Sequence, residues 1–278
     1  YYRDSKAYMM ATSNVIDQEK MAVILQEVVG HQYGDHFYPN MSGVLRSINY
    51  YPIGNETAED GIASLALGLG KYIVDGGLTL RVSPYHPDQV MQTSEVETAL
   101  RETQTQFYAL DMSDVGSDVK VNDGFNIMKL KVKDAEYDKS LNYIVSTFDP
   151  YDQMIYDGLY DGGRKIISFA GVLQQDVFPL PEILQMSMKY GAGAMRRPVE
   201  IEFACNINED KTGEFYLLQI RPIVEAKGML EEDITKTSDN SCLLRSHNSL
   251  GHGISTDVVD VVYVKYDDNF SAMNNYYV

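Results

Sequence analysis

Four polar side chains fall at regular spacing on two stretches late in the chain. Arg197-Pro-Val-Glu-Ile-Glu-Phe-Ala-Cys205 carries Glu200 and Glu202, and Glu214-Phe-Tyr-Leu-Leu-Gln-Ile-Arg-Pro-Ile223 carries Gln219 and Arg221. Both arms alternate with period 2 around Asn208-Glu-Asp-Lys-Thr-Gly213, a run of turn-forming residues, so the spacing predicts a β-hairpin. Pairing Glu202 with Gln219 sets Glu200 against Arg221 and brings Ile201, Phe203 and Cys205 to Ile220, Leu218 and Tyr216 on the other face. Two carboxylates, an amide and a guanidinium would suit a nucleoside triphosphate with its metal. Mg²⁺ takes hard oxygens, here from Glu200 and Glu202, together with phosphate oxygens. Arg221 can fork onto a transferring phosphoryl group as its charge develops. The plainer reading is a solvated strand face whose Glu200 and Arg221 pair contributes at most about 1 kcal/mol.

These residues also carry a resemblance. Pro198-Val-Glu-Ile-Glu-Phe-Ala204 with Leu218-Gln-Ile-Arg-Pro222 resembles the paired signature closing the ATP-grasp nucleotide-binding domain of the phosphoenolpyruvate synthase and pyruvate phosphate dikinase family. Met21-Ala-Val-Ile-Leu-Gln-Glu-Val-Val29 resembles that family's adenine-side strand, Ser42-Gly-Val-Leu-Arg-Ser47 its central strand, and Gly68-Leu-Gly-Lys-Tyr-Ile-Val-Asp-Gly76 its glycine loop. The four matches stand in family order. The resemblance implies an α+β, partial ATP-grasp fold with mixed or antiparallel sheets flanked by helices. It implies that Gln26, Glu27 and Val29 line the adenine pocket, that Glu202 and Gln219 contact ATP or its metal, that Glu200 and Glu202 hold Mg²⁺, and that Arg221 is catalytic. The family usually has an acidic residue where Lys71 stands, so no role passes to Lys71.

What the resemblance implies about activity is phosphate transfer from Mg·ATP to a carrier histidine on another domain, and onward to pyruvate or another acceptor. The family's phosphate-holding lysine and arginine precede the part of the pattern found here, and its carrier-histidine motif is not present. The chain starts at Tyr1 in mid-pattern and reads as a piece of a longer protein, inactive by itself. Residues 1–227 are expected to form the larger, C-terminal part of the nucleotide-binding domain, and 228–278 a linker and the start of a following domain. Two other readings are a nucleotide sensor without transfer activity and, from the 21 tyrosines and acidic composition, a carbohydrate- or protein-binding module.

Composition narrows the classes. The 278 residues are 44% hydrophobic and 23% charged, which is ordinary for a globular protein long enough to bury one large core or two small ones. A formal charge of −17 argues against a nucleic-acid partner, although a few local cations can still hold a nucleotide. No apolar run approaches the ~18 residues of a membrane span. Cys205 and Cys242 form no disulfide framework, which fits the cytoplasm, and Cys205 reads as a small core residue.

The elements that must position these groups read as follows. Residues 1–18 look like the end of a helix, and Met21–Val29 like a strand buried on both faces. His31-Gln-Tyr-Gly-Asp-His36 reads as a polar loop rather than a metal site. Gly43–Tyr51 reads as a strand bringing Arg46 and Ser47 near the nucleotide, Glu59–Gly68 as a short helix, and Leu78–Val82 as a strand. Ser94-Glu-Val-Glu97 looks like a capping box opening a helix to about Leu110, with Phe107 on its buried stripe. Phe125–Val132 alternates as a strand, and Asp134 caps a helix to about Phe148. The Asp- and Tyr-rich tract 149–163 lacks calcium-loop spacing and reads as a hairpin or turn before a strand at Lys165–Phe169. Pro181 and Gly191 bracket a helix. Val258–Val264 reads as an isolated strand, and His247 and His252 as loop residues.

Overall fold

A computed structural model of the chain describes residues 23–113, 124, 126–223, 238, 241–245 and 258–261. The helix expected over 1–18, His247, His252 and most of the expected linker lie outside the described residues. β1 (His31–Tyr33) and β2 (His36–Tyr38) precede β3 (Met41–Arg46), β4 (Ile62–Ala66), helix α1 (Lys71–Val74) and β5 (Leu80–Val82). Helix α2 (Val96–Glu102) leads to β6 (Gln106–Asp111) and β7 (Ile127–Lys131). A meander of β8 (Val145–Asp149), β9 (Met154–Asp157) and β10 (Arg164–Ile167) runs through α3 (Ala170–Leu173) into α4 (Leu180–Met195). β11 (Val199–Ile207) and β12 (Gly213–Pro222) follow as the expected hairpin.

The central sheet has five strands in the order β12-β11-β3-β4-β5, all antiparallel. Period-2 alternation divides its residues between two faces. Val199, Ile201, Phe203 and Cys205 of β11 align with Met41 and Leu45 of β3, Ala63 and Leu65 of β4, and Leu80 and Val82 of β5, all buried. Cys205 is thus the small core residue expected from its position. The other face presents rows that run across the strands: Arg221, Glu200, Arg46 and Ile62, then Gln219, Glu202, Val44 and Ser64. A slip of one residue would put Glu200 into the core, so the apolar pattern fixes the register that builds this polar face.

Helix α4 covers the apolar face with Leu180, Leu184 and Met188, and Gly191 lies inside it. A Cβ on Gly191 would stand 2.7 Å from Ile220 Cδ1. That glycine therefore serves close packing, not termination, and the helix stops only at Arg196, whose φ is +52°. The other two sheets, β1-β2-β6-β7 and β10-β8-β9, share the same core through Tyr38, Phe107, Val145 and Ile167. Under the loop before β10, the buried Lys165 ammonium donates to the carbonyls of Tyr160 at 2.6 Å and Gly162 at 2.5 Å and pairs with Glu136 at 3.3 Å. These oxygens offset the cost of burying its charge.

Strands and turns replace all or part of three expected helices. Residues 62–66 form β4, because Gly61 at φ +66° breaks the preceding turn and Ala63 and Leu65 alternate inward. Short apolar runs are ambiguous between the two periods, and the sheet decided this one. The helix from Val96 ends at Glu102, where the Gln104 side chain takes the Leu67 N–H at 2.7 Å and donates to the Leu67 carbonyl at 3.0 Å. Phe107 consequently lies on β6. No helix follows Asp134, which instead accepts the Lys131 N–H at 2.8 Å over a 3₁₀ turn. Lys139 at φ +57° then diverts the chain toward β8. The His31–His36 segment is a two-strand hairpin rather than a loop, and β3 stops at Arg46 rather than Tyr51. Residues 258–261 contain no strand.

Residues 23–30 also depart from expectation, forming no strand, with Val23, Ile24 and Leu25 81%, 86% and 94% exposed. Their anchor is polar: Gln26 Nε2 donates to the Leu218 carbonyl at 3.2 Å. With Asn206 Nδ2 also donating to the Gly30 carbonyl at 3.4 Å, the run engages the sheet through side-chain amides rather than a backbone ladder, which leaves the hydrocarbon of residues 23–25 outward.

Gly43 gives a direct test of this packing. The Phe203 ring lies across it, with Cζ 2.2 Å from where a Cβ would stand, and stacks on Phe215 at a centroid distance of 5.1 Å. Gly43→Ala should lower unfolding free energy by about 1–3 kcal/mol through overpacking. Chemical denaturation will show it, and an unchanged midpoint would mean that the ring has room to move.

Candidate functional site

The four polar residues of the hairpin lie where the sequence places them. Glu200 is paired with Arg221 and Glu202 with Gln219. Beyond this point the register departs from the expected one, because a β-bulge follows Glu202. Phe203 opposes Leu217, not Leu218, and Cys205 opposes Phe215, not Tyr216. A bulge adds a residue to one strand, which a strict alternation cannot anticipate. The added residue is Leu218, whose carbonyl receives Gln26.

Glu200 is buried at 8% exposure and shared between two arginines. Its Oε2 accepts from Arg46 Nε at 2.7 Å, while Oε1 accepts from Arg221 Nε at 2.8 Å and from Arg221 Nη2. Burial by itself would raise the Glu200 carboxyl, but hydrogen bonds from Arg46 and Arg221 outweigh it and hold the group below its ordinary range. Arg46 came out of the sequence as a residue near the site, not as a partner of Glu200. The signal was available in Ser42-Gly-Val-Leu-Arg46, whose alternation puts Ser42, Val44 and Arg46 on one face.

Glu202 sits one step along, half-buried, with no hydrogen-bond partner among the described residues, and Gln219 beside it is exposed. Two hollows open on the same face. One, of about 180 Å³, is lined by Gln26, Glu27 and Val29 together with Ser42, Gly70 and Leu218. The residues expected at the adenine side thus meet the glycine loop and the hairpin in one place. Gly68 shapes that loop: it adopts φ +84°, its carbonyl accepts from Ser42 Oγ at 2.6 Å, and a Cβ would stand 2.6 Å from the Tyr108 carbonyl. The other hollow, of about 380 Å³, is lined by Arg46, Arg221, Val44, Ser64 and Thr79. Ser42 and Arg46, at the two hollows, are separated by four residues of one strand, roughly 13 Å. Val44, paired with Glu202, lies between them.

A separate polar cluster was not legible in the sequence. Arg81 on β5 forks onto Glu56 at 3.1 and 2.8 Å and also reaches Asn49 and the Tyr51 carbonyl. It pins the 49–56 loop, and Arg81 stands 25 or more residues beyond these partners, too far to form a motif with them. Lys71 is engaged by Asp75 at 3.1 Å. Two further hollows, one against Tyr33 and Tyr143 and one against Tyr151, Tyr156 and Tyr160, contain none of the expected site residues. Among the described residues no group of three or more His, Cys, Asp or Glu converges as a metal cluster, and no helix is long and apolar enough to cross a membrane.

The Glu200 carboxyl makes stability depend on acid in a defined direction. Its folded-state value lies below the ordinary 4.5, so its contribution is full above that pH and is lost as pH falls through the lower folded value. Denaturation midpoints of the wild type should therefore drop below pH 4.5, and Glu200→Gln should flatten that part of the curve while lowering stability near neutrality. Parallel curves for the two proteins would rule out this linkage.

Comparison with curated proteins returned no match. A family profile does match, however, and it covers the ordered sheets, both hollows and the hairpin: the profile described as "Pyruvate phosphate dikinase, AMP/ATP-binding domain" spans residues 1–241. With the antiparallel α+β architecture and the expected hairpin both present, the chain belongs to the pyruvate phosphate dikinase AMP/ATP-binding domain family, whose fold is ATP-grasp-like.

Proposed function

We propose that this chain binds Mg·ATP along the polar face of its central sheet and supplies the nucleotide site of a phosphotransferase. One observation carries the reading: residues from far-apart parts of the sequence line two hollows on one face, with Glu202 between them. Gln26, Glu27 and Val29 would take the adenine in the smaller hollow. The polyphosphate would run past Glu202 and Gln219 toward Arg221.

The residues present fit magnesium. Glu202 offers a carboxylate that no protein group occupies among the described residues, and Gln219 adds an amide oxygen beside it. Glu200 backs this position. Its Oε1 already accepts twice from Arg221, while Oε2 accepts once from Arg46 and retains a lone pair to complete the metal's ligand set. When bound, the metal supplies positive charge to the phosphate oxygens. Arg221 would donate its N–H groups to non-bridging oxygens as a carrier-histidine nitrogen bonds phosphorus and the phosphoanhydride oxygen departs. The histidine belongs to another domain of the same system, pyruvate is the onward acceptor favoured by the resemblance, and the cytoplasm is the compartment that supplies ATP.

Calorimetry with Mg·ATP tests the site on this chain. Glu202→Ala should weaken binding about tenfold or more, equivalent to about 1.4 kcal/mol. Heat from ATP that is the same for wild type and variant would remove Glu202 from the metal position. In a full-length protein, Arg221→Ala should abolish histidine phosphorylation, read by acid-labile radiolabel, and undiminished label would remove its catalytic role.

A further inference from the structure

The nucleotide reading leaves Arg46 without a task, and its surroundings differ from those of a structural arginine. Arg81 shows what such an arginine looks like, with both Nη nitrogens bonded to Glu56, Asn49 and Tyr51 and its side chain 27% exposed. Arg46 bonds only through Nε, to Glu200, and its side chain is 47% exposed. Its two Nη nitrogens carry four N–H donors with no partner among the described residues. Arg221 likewise spends Nε and Nη2 on Glu200 and keeps Nη1, with its side chain 59% exposed.

We propose that Arg46 is a second phosphate ligand, forming with Arg221 a paired clamp that Glu200 holds open for the far end of a polyphosphate. Three observations converge on an anion. Both arginines line the hollow of about 380 Å³, and none of its lining residues is acidic. That is unusual in a chain with 40 Asp and Glu, and the other hollows described above each include an Asp or Glu. One carboxylate is shared by two guanidiniums, so the trio holds one positive charge that Glu200 leaves uncompensated. Finally, the Cα partners Arg46, Glu200 and Arg221 stand in one row across three strands, which brings both guanidiniums to a single carboxylate. Glu200 thereby fixes the pair at a spacing set by its own two oxygens, and the unspent N–H groups remain for phosphate oxygens in fork geometry. Lysine could replace the charge but not the fork.

The clamp rests on the nucleotide reading for the identity of the anion, and the test separates the two. Binding of ATP, adenosine and inorganic tripolyphosphate is measured by calorimetry for wild type, Arg46→Ala and Arg46→Lys, after ligand-free melting curves establish that each is folded. Arg46→Ala should weaken ATP and tripolyphosphate about tenfold or more and leave adenosine unchanged. Arg46→Lys should recover only part of the loss. Equal ATP affinity in wild type and Arg46→Ala overturns the clamp while leaving the nucleotide site standing. Tripolyphosphate binding that depends on Arg46, without any binding of adenosine or ATP, supports the clamp and removes the nucleotide reading. Wild type that binds neither ATP nor tripolyphosphate overturns both.

Discussion

One carboxylate governs the arrangement of the polar face. Glu200 is the only anion in direct contact with Arg46 and Arg221 among the described residues, and through them it ties β11 to both of its neighbours. Burying a charge is costly unless partners replace its water, and here two guanidiniums do so. Because both arginines are about half exposed, the gain is smaller than for a fully buried triad, and stability is the lesser part of its effect. Its larger effect is geometric. Without a shared counter-charge, two cations in one row would repel and turn toward solvent.

The bulge after Glu202 complements that arrangement at the other end of the face. By adding Leu218 to β12, it shifts the rest of the hairpin's pairing and brings Leu218 to the smaller hollow, where its carbonyl meets Gln26. The same irregularity leaves Phe203 opposite Leu217, with its ring over Gly43 and against Phe215. A single added residue thus serves the polar face and the core together. Bulges often mark places where a strand is re-aimed next to a site.

What could be read from the sequence followed the strength of the local pattern. The hairpin was legible because its arms alternate cleanly and its turn is polar, and its register held through Gln219, where the bulge begins. That Gln26, Glu27 and Val29 come together with the glycine loop at one hollow was legible only through resemblance. Spacing alone made Met21–Val29 a buried strand, whereas residues 23–30 are unpaired. The expected helices at 59–68 and 134–148, and the excess length of the one at 94–110, share one cause. Each is a short segment that a neighbouring strand recruited, through Gly61 and the Ala63 and Leu65 alternation, through Gln104, or through the left-handed turn at Lys139. The strands that recruit these segments are remote in sequence, so the local pattern by itself is ambiguous between the two periods. The Arg46 contact was half legible: alternation gives its face, but only the pairing of β3 with β11 gives its partner.

The link between Gln104 and Leu67 has a mechanical consequence. One amide side chain mimics a piece of backbone ladder, holding the residue just before Gly68, and Leu69 N–H donates to the Tyr108 carbonyl on β6 at 2.9 Å. The loop that borders the smaller hollow is therefore bolted both to the sheet carrying the acidic and basic groups, through Ser42, and to a different sheet, through Tyr108. Any shear between these two layers would widen or narrow that hollow, so its width is a property of both layers together rather than of either one alone.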